Sequence, residues 1–143
     1  MLHILSGPPG SGKTTYGKQL ASHPNTTLHS WDDIPGANTT PAKIPEVRAQ
    51  WLANIKQDLE SGKDVVIDGT NLYVKERVRL FNELKDFQGP KILYAFTTPL
   101  ELCLQRNAQR EGRARIPDFV ITQSHEYFQP PTLDEGWDQI ITI

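Results

Sequence analysis

The sequence of 143 residues predicts an α/β domain with a five-stranded parallel sheet sandwiched by helices. Three observations carry this. Short apolar runs alternate with amphipathic stretches from end to end, a glycine-rich segment joins the first run to the first amphipathic stretch, and glycine and proline punctuate the junctions.

Leu2 to Leu5 reads as the first strand, and after the glycine loop a helix runs from about Lys13 to Ser22. Thr26 to His29 is a second strand. Thr40-Pro41 suits a helix N-cap and first position, and Ile44, Val47, Trp51, Ile55 and Leu59 share one face before Gly62 ends the helix. Asp64 to Ile67 is a third, buried strand. Val74, Val78, Phe81 and Leu84 share the face of a helix that Gly89-Pro90 stops ahead of a fourth strand, Ile92 to Phe96. Thr98-Pro99-Leu100-Glu101 fits a capping box, with Gly112 placed to close the far end. A further helix begins after Ile116-Pro117, and Gln139 to Ile143 makes the last strand. With no repeat, linker or low-complexity stretch, residues 1–143 read as one domain.

Composition narrows the function classes. A formal net charge of -2 offers no global attraction to phosphate backbones, so contact with nucleic acid needs a local basic patch. Cys103, the single cysteine, excludes an internal disulfide and a multi-cysteine zinc site, and reads as a core residue. The first apolar run is too short for a signal peptide and no segment approaches a membrane span, so a cytoplasmic location with no membrane partner is expected. His3, His23, His29 and His125 form no ligand-like pair and are read as ordinary surface or core residues.

Gly7-Pro8-Pro9-Gly10-Ser11-Gly12-Lys13-Thr14 satisfies G-x-x-x-x-G-K-[ST], with an apolar strand before it and a helix after it. Glycines let successive backbone N–H groups point into one concavity, where they and the positive helix end bind phosphate oxygens. Lys13 is expected to bridge the β- and γ-phosphates of ATP or another triphosphate, Thr14 to take one coordination site on Mg²⁺, and Thr15 to join the phosphate contacts.

Phosphate binding alone does not separate a kinase from a GTPase or a motor. Asp32 and Asp33 follow the second strand, where a carboxylate at the sheet edge can accept a proton from an attacking hydroxyl; a turn pair capping the chain before Pro35 is an equal reading from spacing. Arg106 and Arg110 are four apart on the helix after the fourth strand, and Arg113 and Arg115 follow in the next loop. This cluster reads as an arginine-bearing lid that supplies charge to a phosphoryl-transfer transition state, against the plainer reading of a solvated helix end. Asp68 ends the third strand, where a carboxylate can hold the metal or its water. Asp68-Gly69-Thr70 does not complete an aspartate-phosphatase motif, because Val66 stands where the first aspartate is needed. No Asn-Lys-x-Asp guanine-reading motif occurs either.

With these residues in place, the chain resembles the kinase domain of the polynucleotide 5′-hydroxyl kinases, of both the bacteriophage and the animal end-repair type. The resemblance rests on the Gly7 to Thr14 loop, Asp32, Asp68-Gly69-Thr70-Asn71-Leu72, Arg106-Asn107 with Arg110, Ile116-Pro117, and Phe128-Gln129-Pro130-Pro131-Thr132-Leu133-Asp134-Glu135-Gly136-Trp137. It implies a P-loop kinase fold with strand order 2-3-1-4-5, Asp32 as general base, and Lys13 and Arg110 as stabilisers of the transferring group. It also implies 5′ ends of DNA or RNA as substrate, and no partner protein is implied; Trp31, Asp33, Asp68, Asn71 and Arg113 are the candidate acceptor-side residues, Trp31 reading equally as a platform for a base or as packing against the sheet. The chain departs from the family at Ser30-Trp31, where Asn-Arg is usual, and at Pro35, where the phage type carries an arginine that grips the acceptor phosphate. A small hydroxyl acceptor such as a nucleoside or hydroxymethylated base, and a nucleotide-dependent switch without phosphotransfer, are the alternative readings.

Overall fold

In the computed structural model, five strands, Leu2–Ser6 (β1), Thr26–Ser30 (β2), Asp64–Asp68 (β3), Lys91–Ala95 (β4) and Gln139–Thr142 (β5), form one sheet. Its order is β2-β3-β1-β4-β5 and every neighbouring pair is parallel, as the resemblance implied. The structure describes residues 1–34 and 40–143, without the side chains of Asp32 and Arg113; Pro35 lies outside the described residues.

Alternation along each strand sorts side chains onto two faces. Leu2 and Ile4, Val65 and Ile67, and Leu93 and Ala95 pack into one cluster. Leu5, Val66, Tyr94 and Phe96 pack into the other. Burial on both faces explains the continuous apolar runs of β1, β3 and β4.

Helices cover both layers: Lys13–Ala21 (α1), Ile44–Glu60 (α2), Val74–Glu83 (α3), Leu100–Ala108 (α4) and Asp118–Tyr127 (α5). Trp51, Ile55 and Leu59 of α2 and Leu80 of α3 fill the first cluster, whereas Tyr16 and Leu20 of α1 cover the second. Among the described residues no helix is long and apolar enough to cross a membrane.

Four local expectations change. Thr40-Pro41 opens a 3-10 turn, Pro41–Lys43, and α2 starts after it at Ile44 without a side-chain cap. The box expected at Thr98 to Glu101 does not form: Pro99 is the N-cap residue of α4, and the Thr98 hydroxyl donates to Ser11 O at 2.8 Å. Gly112 opens a 3-10 turn instead of closing α4, whose C-cap is Gln109. Arg110 therefore sits just past the helix and does not share a helical face with Arg106. Finally, α3 turns Arg77 and Leu80 inward and leaves Val74 38% exposed, because a buried carboxylate, Glu135, awaits the arginine. A capping box does occur, at Thr132 and Glu135.

Candidate active site

The C-terminal ends of β1, β2, β3 and β4 lie on one sheet edge, with Ser6 opposite Ala95 and Ser30 opposite Asp68. Their following loops therefore converge, which is where α/β sheets bind ligands. The Gly7 to Thr14 loop leaves β1 and delivers Lys13 and Thr14 to the first turn of α1. No acidic side chain occupies that turn, so the positive end of α1 is uncompensated by the helix itself.

Within the loop, Lys13 is buried and its Nζ donates to Pro8 O at 2.9 Å. Gly10 has φ +81, and a Cβ there would meet Cys103 O at 2.7 Å, so α4 packs directly on the loop's backbone. Arg106 NH1 donates to Gly10 O at 3.1 Å, anchoring Arg106 on the phosphate loop. Burial pushes the Cys103 thiol up, against the pull of the Arg106, Lys13 and Arg110 cations. Those three cations thus act on one neighbourhood beside the loop. Cys103 itself is fully buried, as its core reading expects.

Ser11 Oγ is buried with no hydrogen-bond partner. A buried hydroxyl left unpaired costs roughly 1–3 kcal/mol, and a phosphate oxygen in the concavity would relieve it. The Thr14 hydroxyl donates to Asp68 Oδ2 at 2.9 Å. Two hard oxygen donors at the rim of a phosphate cradle suit Mg²⁺, which binds through one or two protein groups plus substrate phosphates. Among the described residues no cluster of three or more acidic, histidine or cysteine ligands exists to hold a metal by itself. The residues thus fit a Mg²⁺ that arrives with the nucleotide.

The remaining site residues fall into place unevenly. Trp31 to Asp33 form a 3-10 turn at the end of β2, so the backbone of Asp32 lies on the same edge as the phosphate loop. Asp33 is exposed, as is Thr15. Trp31 packs edge-on against Trp51, with centroids 5.6 Å apart and planes at 83°, and is partly buried in the first cluster. Its ring is engaged with the core. Asn71, at φ 43, spends its amide on Leu5 O at 2.8 Å. Its contact is with the strand that carries the loop. Arg110 is partly buried beyond α4.

Two features escaped the sequence reading. Asn107, fully buried, pairs with both main-chain polar groups of Ile116, its Nδ2 donating to O at 2.7 Å and its Oδ1 accepting from N at 3.0 Å, and so closes the loop bearing Arg110 and Arg113. The Asn107 to Ile116 spacing was the available signal. Arg77 and Glu135 form a buried pair at 2.8 Å, hinted at by an arginine inside an apolar helical stripe.

Fold and loop together define a P-loop kinase-like domain. The chain belongs to the AAA-domain family, which it matches over residues 2–131. It is 30% identical over 146 residues to L-seryl-tRNA(Sec) kinase of Methanococcus maripaludis, covering 96% of this chain and 56% of that protein. The chain therefore spans about half the length of this curated relative. Among solved structures, it is similar to a chain of the Pnkp1/Rnl/Hen1 RNA repair complex, with a TM-score of 0.78 and 21% identity over 89% of this chain and 43% of that one. It is also similar to a sugar kinase from Janibacter sp. HTCC2649, with a TM-score of 0.70 and 19% identity over 99% of this chain and 83% of that one. At such identities the two structures speak for the fold.

Proposed function

We propose that the protein is an ATP-dependent phosphotransferase whose acceptor is the 5′-hydroxyl end of DNA or RNA. The observation that carries the donor half is the Thr14–Asp68 hydrogen bond beside a phosphate loop whose buried Ser11 hydroxyl lacks a partner. In this reading the loop's N–H groups and Lys13 hold the triphosphate, while Arg106 and Arg110 bring positive charge to the transferring group. Thr14 and Asp68 would hold a Mg²⁺ arriving with the nucleotide, which would supply positive charge to the phosphates. The acceptor oxygen attacks the γ-phosphorus, its new O–P bond replaces the bond to the β–γ bridging oxygen, and ADP leaves. Asp32 takes the hydroxyl proton.

The RNA repair complex among the neighbours supports a nucleic-acid acceptor, and the seryl-tRNA kinase supports a substrate carried on RNA. A second reading keeps the chemistry and changes the acceptor to a small hydroxyl compound. It is favoured by Trp31, which packs on Trp51 instead of being offered to a base, and by the sugar-kinase likeness. Incubation with γ-labelled ATP and a panel of 5′-hydroxyl oligonucleotides, nucleosides and sugars decides between them. Label on the oligonucleotide is the expected result. Label confined to nucleosides or sugars refutes the first reading, and no label on any acceptor refutes both.

A further inference from the structure

Arg77 is fully buried on α3, and four of its N–H groups are accounted for. Nε and NH2 donate to the two carboxylate oxygens of Glu135, at 2.8 and 3.1 Å. NH1 donates to the carbonyls of Asn71 and Leu72, at 2.9 and 3.0 Å. Glu135 is saturated in turn by Thr132 N and Trp137 Nε1, at 3.0 and 3.2 Å.

The carbonyls that Arg77 holds belong to the loop leaving Asp68. That loop is sewn to the phosphate loop's stem: Gly7 N donates to Thr70 O at 2.8 Å, Ser6 Oγ to Asn71 O at 2.8 Å, and Asn71 Nδ2 to Leu5 O at 2.8 Å. Asn71 makes these contacts from the left-handed region, at φ 43, a conformation that persists where surroundings over-determine it. A second tether runs in parallel, since Gln129 N donates to Leu72 O at 2.9 Å and Gln129 Oε1 accepts from Val74 N at 2.7 Å.

A buried ion pair is a poor source of stability compared with an apolar pair of similar volume, because desolvation offsets the attraction. Its contribution here is geometric. We propose that Arg77 is a positioning residue for the nucleotide–Mg²⁺ site: with Glu135 as counter-ion it fixes the Asn71 and Leu72 carbonyls, and through them the register of Asp68 against Thr14. The proposal rests on the donor-site reading above. It makes the Phe128 to Trp137 segment a strap that carries the counter-ion.

The double variant Arg77→Met/Glu135→Leu tests this, since it replaces the pair with apolar side chains and leaves no buried charge. A fluorescent ATP analogue is titrated against wild type and variant, in Mg²⁺ and in EDTA, alongside thermal unfolding. The variant is expected to stay folded and to bind the metal-free analogue within about threefold of wild type, while the tightening by Mg²⁺ falls about tenfold, as for loss of a group that orients a metal ligand. Unchanged Mg²⁺ tightening in a folded variant overturns the proposal. Should the double variant fail to fold, Glu135→Gln, which keeps size and one acceptor oxygen, is read in the same assay, and wild-type tightening there overturns it equally. Wild-type protein that binds the analogue no better with Mg²⁺ than without sinks the donor-site reading and this proposal together.

Discussion

The hydroxyl of Thr14 and the carboxylate of Asp68, 54 positions apart in the chain, are joined by a 2.9 Å hydrogen bond. One residue opens α1 and the other closes β3, so the contact exists only because β3 lies beside β1 in the sheet. Asp68→Asn keeps the acceptor oxygen and removes the charge. Metal-free nucleotide affinity should hold, while Mg²⁺-dependent tightening drops by about 10–100-fold. Titration of a fluorescent ATP analogue with and without Mg²⁺ checks this, and equal losses in both conditions would contradict the metal role.

Asp32 and Lys13 are assigned different steps, and their variants should separate. Asp32→Asn is expected to bind ATP within about twofold of wild type and to lose roughly 10²–10⁴ of the transfer rate, the range for a general base. Lys13→Ala should lose both. Single-turnover transfer measured beside equilibrium binding distinguishes the two, and an active Asp32→Asn variant removes the base assignment.

Gly10 and Gly62 both have positive φ, +81 and +86, but differ in surroundings. A Cβ at Gly62 meets nothing within 4 Å, so Gly62→Ala should cost only the left-handed strain, about 1–2 kcal/mol. A Cβ at Gly10 would stand 2.7 Å from Cys103 O, a backbone atom that cannot swing away. Gly10→Ala is therefore expected to destabilise more than Gly62→Ala and to weaken triphosphate binding, which Gly62→Ala leaves intact. Thermal unfolding and nucleotide titration of the pair give the comparison; equal melting temperatures would contradict the packing of α4 on the loop.

Burial works to raise the Glu135 carboxyl, but the hydrogen bonds from Arg77, Thr132 N and Trp137 outweigh it and hold its pKa below the ordinary value. Asp58 follows the same balance, with burial opposed by His29 and Thr27, and is also lowered. A carboxyl whose folded pKa is depressed contributes stability that is complete above its unfolded pKa and is lost as pH falls through the folded one. Unfolding free energy should thus fall on acidification below about pH 5, and Glu135→Gln should flatten part of that slope. Denaturant titrations across the acid range test it, and an unchanged slope in the variant would exclude Glu135 as a contributor.

Much of this was legible in sequence. The strand positions, the phosphate loop and the buried cysteine follow from local pattern, because a strand buried on both faces must be apolar throughout and a phosphate cradle must be glycine-rich. Three expectations depended on partners distant in sequence and changed accordingly. Thr98 has the spacing of a helix cap, yet its hydroxyl donates to Ser11 O, 87 residues away. Trp31 leaves stacking on a base and packing against the sheet equally open until Trp51 of α2 is seen against its ring. Val74 reads as the inward residue of α3 until Glu135 draws Arg77 to that face.

By itself, then, the sequence determined an α/β domain with a triphosphate loop between its first strand and helix, since those features depend on neighbours within a few residues. Tertiary structure alone decided which groups meet that loop: Asp68 at Thr14, Arg106 at Gly10, and the Arg77–Glu135 pair behind them. Such meetings are set by strand order and helix roll, which arise from burial summed over the whole sheet and leave no local trace in the residues they join.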